Sequence, residues 1–223
     1  MWRDALLVAA KDLRIERRSR VALQQIVPFA VLVIVLFAFA LDPDRGVLTR
    51  AAAGLFWTAV LFSALLAVQR SQAVEAADGV RDAVRLSGLD PAGIFLGKAM
   101  AVAAQLLVLE VVLGIGVVLL YDVEVDGIGT LVATALAATA GLAAAGSLYG
   151  ALAAGLRVRE TLLPLLLLPV VAPVLIAATR ASESALTGTS FEVSPGDWLG
   201  LLGVFAALYV AFGLFAYGPL LED

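Results

Sequence analysis

The chain has 223 residues, of which 62% are hydrophobic and 15% charged, and its mean hydropathy is +1.00. Soluble domains are about half apolar and a quarter charged, so this composition excludes a soluble globular protein. Neither cysteine nor histidine occurs, which removes disulfides, thiolate metal sites and imidazole ligands, and we predict no metal site. The net charge is −4, and nucleic acid is not expected as a partner.

Residues 1–20 have the pattern of an amphipathic helix that lies on the membrane surface. Apolar residues recur there at helical spacing, at Trp2, Leu6, Ala9 and Leu13, with most basic residues elsewhere on the wheel. A cleavable signal peptide is the alternative, because the small-x-small sequence Ala38-Phe39-Ala40 follows an apolar run. The leader is long for a signal and cleavage would leave an odd number of spans, so we favour the interfacial helix.

Six apolar stretches follow, each close to the roughly 20 residues that cross a bilayer as a helix. They lie at about 21–41, 51–68, 98–120, 127–155, 161–180 and 198–219. We therefore predict an all-α polytopic membrane protein in which residues 21–223 form one six-helix transmembrane domain.

The basic residues predict the orientation of these spans. Of the 15 Lys and Arg, twelve fall on one side of the predicted membrane and three on the other. The positive-inside rule then places both termini in the cytoplasm. The sizeable cytoplasmic segments are residues 1–20 and the loop of residues 69–97.

The loop of residues 69–97 contains a short amphipathic pattern. Its apolar stripe is formed by Val80, Ala83, Val84, Leu86 and Leu89. Asp78 lies near the start of this stripe, and Gly88 and Pro91 end it. A two-turn helix of this kind can dock into a groove on a soluble partner. The alternative is a helix that only rests on the membrane surface.

Motifs for catalysis are missing from the sequence. The stretch "GIFLGKA" at residues 93–99 resembles a P-loop, but its glycines are one residue too close and Ala99 replaces the hydroxyl. No G-x-S-x-G elbow, H-E-x-x-H motif or pair of catalytic carboxylates occurs either. We therefore predict that the chain is not an enzyme.

Glu110 is the one acidic residue well inside a predicted span. A carboxylate there costs about 2.5–3.5 kcal/mol on insertion scales, so it should face protein or water. A proton relay or a cargo contact is the functional interpretation. We favour the other interpretation, a helix-packing hydrogen bond to Gln105 or to a hydroxyl of Thr134, Thr139 or Ser147.

Span four contains the pair Gly146 and Gly150, whose spacing allows two helix backbones to approach closely. Such a pair argues for packing, within the chain or across a dimer.

Span five contains three prolines in the stretch "LLPLLLLPVVAPVLI" at residues 162–176. Pro169 and Pro173 are four residues apart, so they lie on one helix face and free the carbonyls of Leu165 and Pro169. Pro164 is expected in the first helical turn, where a proline costs little. The span should bend at Pro169 and Pro173, either as a hinge or simply to fit its neighbours.

Four segments, in order, resemble the haem exporter protein B family, the membrane subunit of an ABC transporter of cytochrome c maturation. The segments are "KDLRIERRSR", "RAAAGLFWTAVLFSALLAVQRS", "ADGVRDAVRLSGLDPAGIFLGK" and "GLRVRETLLPLLLLPVVAPVLIAATRA". The resemblance covers most of the chain and implies an ABC type-2 permease fold in the bacterial inner membrane. It also implies two partners, a cytoplasmic ATP-binding subunit and a haem-handling membrane subunit, and leaves open a homodimer or heterodimer of permeases. Haem would be cargo of the complex, with no cofactor bound directly.

Under this resemblance the ATPase contacts the amphipathic loop, through Asp78, Gly79, Val80, Arg81, Val84, Arg85, Leu86, Leu89 and Pro91. A second cytoplasmic turn contains Arg157, Arg159 and Glu160, and the hinge would consist of Pro164, Pro169 and Pro173. Three other functions remain open: a type-2 permease for a lipid or drug, a proton-coupled carrier that uses Glu110, and a structural assembly subunit.

Overall fold

The computed structural model describes residues 1–20, 22–41, 45–75, 86–154, 159–187 and 194–222. Within these ranges the chain is helical and contains no strand. The helices are α1 (Trp2–Ser19), a π-helical turn (Ala22–Ile26) that leads into α2 (Val27–Leu41), α3 (Arg45–Glu75), α4 (Pro91–Tyr121), α5 (Ile128–Ala154), α6 (Arg159–Thr187) and α7 (Pro195–Glu222).

Six of these helices are long and apolar enough to cross a membrane, which confirms the predicted six-span fold. The spans are Gln24–Leu41, Gly46–Val74, Pro91–Tyr121, Ile128–Ala153, Thr161–Leu186 and Pro195–Leu221. Predicted spans two and three were too short, because α3 continues through the mostly polar residues 69–75 and α4 already begins at Pro91, ahead of Lys98. The loop predicted at 69–97 therefore narrows to the stretch between Glu75 and Pro91.

Helix α3 forms the centre of the bundle and packs against α2, α4, α5 and α6. Over the most apolar 18 residues of its span 61% are buried, against 17% for α2 and 11% for α7, which lie at the edge. Helix α4 connects this centre to α1 and α7. The largest buried side chains include Trp57, Phe95, Tyr121 and Tyr217.

Buried polar side chains join the helices inside the bundle. The Trp57 indole Nε1 donates to the Ser182 hydroxyl at 3.0 Å, which links α3 to α6. The Tyr121 hydroxyl donates to the carbonyl of Ile34 at 3.0 Å, linking α4 to α2. Such bonds satisfy groups that would be costly to leave unpaired in an apolar interior.

The turn between α4 and α5 is attached to the end of α6. The backbone N–H groups of Asp126 and Gly127 both donate to the carbonyl of Ala185 at 3.2 Å. A Cβ at Gly127 would lie 2.9 Å from the Ala185 Cβ, so this approach requires glycine. The turn thus satisfies a carbonyl that the helix end leaves unpaired.

Gly146 and Gly150 provide close packing of α5 against α3 within the chain. A Cβ at Gly146 would lie 2.6 Å from Val68 Cγ2, and one at Gly150 would lie 2.8 Å from Gln72 Nε2. The pair is therefore used inside the protein and does not present a free face for a dimer.

Candidate functional site

The candidate site is the basic end of the bundle, which we define as the end where α1 lies and where the chain passes from α3 to α4 (the α3–α4 connection) and from α5 to α6. Helix α1 lies against α4 there and buries Ala5, Val8 and Ala9. Of the four residues predicted to form the apolar face of α1, only Ala9 is buried. Trp2, Leu6 and Leu13 are exposed, so they are available to a membrane surface.

Two glycines allow the backbones of α1 and α4 to touch. A Cβ at Gly97 would lie 2.6 Å from both the Ala5 carbonyl oxygen and the Val8 Cβ. One at Gly93 would lie 2.8 Å from the Met1 carbonyl oxygen. The glycines of the P-loop-like stretch therefore dock a helix. Sequence reasoning missed this, although the spacing of four residues between small side chains was the available signal.

Charged groups join the first residues of α1 and α4. The Met1 amino group lies 3.3 Å from the Asp4 carboxylate and 3.4 Å from that of Asp90. Its hydrogen bond to the Asp4 carboxylate raises the pKa of the amino group. Asp90 also caps α4 by accepting from the Ala92 N–H at 3.1 Å, and Pro91 occupies the first helical position, where no N–H is needed.

Lys98 is buried beneath α1, although the sequence placed it at the membrane edge. Only 1% of the residue is exposed, and its Nζ lies 3.9 Å from Asp12 Oδ2. The other oxygen of Asp12 lies 2.9 Å from Lys11 Nζ. Helix α1 supplies the negative charge that compensates for burying Lys98. A hydropathy pattern reports only on neighbouring residues in the sequence, so it does not reveal a partner on a distant helix.

Three of the residues predicted to contact an ATPase are described. Leu86 is 86% exposed, whereas Leu89 is half-buried against the cluster that contains Val8. Pro91, predicted to end the amphipathic stripe, is the first residue of α4. Gly88 has a φ of 68°, a left-handed conformation that favours glycine. Asp78, Gly79, Val80, Arg81, Val84 and Arg85 lie outside the described residues.

The second predicted turn leads into α6. Arg157 lies outside the described residues, and Arg159 and Glu160 begin the helix. Pro164 is the sixth residue of α6, so its predicted place in the first turn is wrong, because the helix begins two residues before the apolar run.

The three prolines lie within one continuous helix. Pro169 and Pro173 are on its exposed face, and the residues that bury the helix lie on the opposite face, at Leu163, Leu167, Val171 and Val174. Packing of that face maintains the helix where proline removes backbone hydrogen bonds.

Glu110 is buried inside the bundle and is 5% exposed. Thr139, one of the hydroxyl residues considered as its partner, donates a hydrogen bond to Oε1, while Oε2 has no hydrogen-bond partner. The carboxyl group borders a largely apolar cavity of about 430 Å³ that also contacts Trp57 and Ser182. Among the described residues, no group of three or more acidic side chains is arranged to hold a metal ion.

Six membrane-length helices with a surface helix docked at their basic end define a polytopic helical membrane protein. A family model places the chain more narrowly: it matches the model of the CcmB protein family over residues 3–222, and the chain belongs to that family.

Similarity to known proteins extends over nearly the whole chain. It is 32% identical over 221 residues to heme exporter protein B of Haemophilus influenzae, covering 97% of this chain and 96% of that protein. The corresponding protein of Bradyrhizobium diazoefficiens is 30% identical over 210 residues, covering 92% and 91%. That of Escherichia coli K12 is 31% identical over 210 residues, covering 88% and 87%.

Proposed function

We propose that this chain is the membrane subunit of a haem exporter in cytochrome c maturation. The observation that carries the proposal is similarity to heme exporter protein B relatives over almost the entire length of both chains. The six-span bundle is consistent with a permease subunit. In this proposal the chain lies in the bacterial inner membrane, and a cytoplasmic ATP-binding subunit supplies the hydrolysis.

The proposal places the basic end in the cytoplasm. Because the chain contains no cysteine, single cysteines can be introduced into an unreactive background. Ser87→Cys lies beside the α3–α4 connection, and Glu124→Cys lies on the exposed turn at the opposite end. A membrane-impermeant maleimide added to intact spheroplasts should label Glu124→Cys and leave Ser87→Cys unlabelled. Labelling of Ser87→Cys alone would invert the topology and overturn the proposal.

ATPase docking is proposed at the α3–α4 connection. Leu86 is strongly exposed, and the sequence has arginines nearby, at 81 and 85. Apolar and basic side chains of this kind can bind a soluble partner. The variant Arg81→Glu/Arg85→Glu should lose the ATP-binding subunit on co-purification. Arg180→Glu is the matched control, because Arg180 is exposed and pairs with Glu183 towards the other end of the bundle. Full retention of the ATPase by the double variant would refute this docking surface.

A haem-handling membrane subunit and a second permease copy complete the proposed complex. Helices α2 and α7 have the smallest buried fractions among the described spans, so they leave the most surface for membrane partners. Cross-linking from cysteines on these two helices, followed by mass spectrometry, would identify which subunit each helix contacts.

We also propose that α6 acts as a hinge that passes motion of the ATPase into the bilayer. Its freed carbonyls lie on the face that carries Pro169 and Pro173, away from the buried face. Pro169→Ala/Pro173→Ala should reduce the yield of cytochrome c without reducing the amount of protein in the membrane. Pro219→Ala, inside α7, is the control and should have no effect. An unchanged yield in the double variant would exclude the hinge.

A proton-coupled carrier is the second candidate, because a buried carboxyl group borders a cavity in the span region. Transport by such a carrier would depend on the membrane potential or the proton gradient. The haem exporter proposal requires ATP hydrolysis instead, so the sensitivity of cytochrome c maturation to a Walker-site variant of the ATP-binding subunit separates the two.

A further inference from the structure

A second cavity, the amide cleft, lies at the basic end between the π-helical turn, α3, α5 and α6. It has a volume of about 270 Å³. Four of its lining residues are polar, namely Gln25, Gln69, Arg70 and Gln72, and the others are apolar or small. None of the described lining residues is acidic. The cleft therefore combines one cation with three amide groups.

The cleft is built by specific backbone features. Gln72 is buried, and its Nε2 approaches α5 so closely that a Cβ at Gly150 would lie 2.8 Å away. Gln25 belongs to the π-helical turn Ala22–Ile26. Such turns insert an extra residue into a helix and are frequent at functional sites. A glycine and a π-turn thus place two amides around the end of α3.

Arg70 supplies the positive charge. Its Nε is buried and has no hydrogen-bond partner in the described part of the chain. Acidic residues do lie on the other side of Arg70, where Asp12 and Glu16 border a cavity of only about 20 Å³. Asp12 forms ion pairs with Lys11 and Lys98, so its charge is engaged elsewhere.

The depth of the cleft favours an amphipathic ligand. Arg70 lies five residues before the end of α3, within the last two turns of a membrane-crossing helix. Leu66, one turn further into the span, borders the same cleft and is 37% exposed. An anionic group in the cleft would therefore be joined to an apolar body in the adjacent leaflet. Guanidinium and amide groups are suited to carboxylates, which accept several hydrogen bonds at once.

We propose that the amide cleft binds the propionate carboxylates of haem, with the porphyrin ring lying in the leaflet beside Leu66. This inference rests on the proposed function, which supplies haem as the cargo. Recognition is by carboxylate, so it needs no ligand to the iron. The cleft would hold the cargo on the side of the membrane where the basic end lies.

The test uses the full chain purified into phosphatidylcholine nanodiscs and titrated with haem or with haem dimethyl ester. Quenching of tryptophan fluorescence reports binding, and empty nanodiscs give the background. The unmodified chain should bind haem about tenfold more tightly than the ester, the effect of one charge-assisted hydrogen bond. Equal affinities, or no binding of haem, would overturn the cleft assignment.

Substitutions in the amide cleft test whether its side chains cause the tighter binding of haem than of its ester. Arg70→Leu should lose the tenfold preference for haem over its ester, and Arg70→Lys should recover part of it. Arg50→Leu is the matched control, because Arg50 is exposed at the opposite end of the same helix. If Arg70→Leu does not fold, the preference of the unmodified chain and that of Gln25→Leu decide the question in its place.

Anionic phospholipid is the competing occupant. Replacing phosphatidylcholine by phosphatidylglycerol should leave the preference for haem unchanged, and its loss would assign the cleft to lipid phosphate and overturn the proposal. Failure of the cleft is distinguishable from failure of the proposed function. A chain that retains the ATP-binding subunit but does not discriminate haem from its ester loses only the cleft.

Discussion

Because α1 and α4 are in close contact, adding a single methyl group at Gly97 should markedly destabilise the protein. In Gly97→Ala the added Cβ would lie 2.6 Å from the Ala5 carbonyl oxygen and from the Val8 Cβ. Carbon atoms pack best at about 3.5–4.0 Å, so α1 must move away by about 1 Å. Overpacking of this kind costs about 1–3 kcal/mol. The Asp12–Lys98 pair, one residue along α4 and already at 3.9 Å, would separate further.

Two measurements follow the displacement of α1 in this variant. The melting temperature of the purified protein should fall, and trypsin should cleave faster after the arginines of α1, at Arg14, Arg17 and Arg18. Gly114→Ala on the same helix is the control, since a Cβ there has nothing within 4 Å. Replacing Gly by Ala in a helix is otherwise favourable by up to about 1 kcal/mol. If both variants melt and digest alike, the close contact of α1 with α4 is wrong.

Three further substitutions test individual contacts. Asp12→Asn removes the charge that faces buried Lys98 and should destabilise the protein by up to about 3 kcal/mol, measured by thermal unfolding. Gly213→Ala should also lower the melting temperature, because its Cβ would overlap the buried Phe95 ring. Glu110→Gln retains an oxygen that can accept from its hydroxyl partner, so cytochrome c yield should be unchanged.

Controls for the first two substitutions, and a contrary result for the third, sharpen these tests. Gly203→Ala, on the same helix as Gly213, has open space at its Cβ and should melt like the unmodified protein. The double variant Asp12→Leu/Lys98→Met should recover much of the stability lost in Asp12→Asn, because it removes both charges together. Loss of cytochrome c yield in Glu110→Gln would instead favour a role for proton exchange at that residue.

The number and order of the spans follow from length and hydropathy, because each apolar run is long enough to cross the bilayer. The ends of the helices do not follow in the same way. Hydropathy falls at the first polar residues, such as Gln69 and Arg70, whereas α3 continues to Glu75. The helix maintains its own backbone hydrogen bonds through that polar stretch, so composition alone placed the boundary too early.

Contacts between distant parts of the chain were harder to predict. The pattern of residues 1–20 identified a helix, but the face that packs on α4 consists of small residues and not of the largest apolar ones. Lys98 was assigned to the membrane edge because its partner on α1 is 86 residues away along the chain. Glycine spacing in α4 was the one local signal for this docking.

If α6 bends as proposed, the attachment of Asp126 and Gly127 to Ala185 sets which part of the helix would move. Two backbone hydrogen bonds hold the C-terminal end of α6, which lies beyond Pro169 and Pro173. A helix that is held at one end and bends near its middle moves at its other end. Flexing of α6 would therefore displace the segment from Arg159 to Leu168, and the far turn would stay in place.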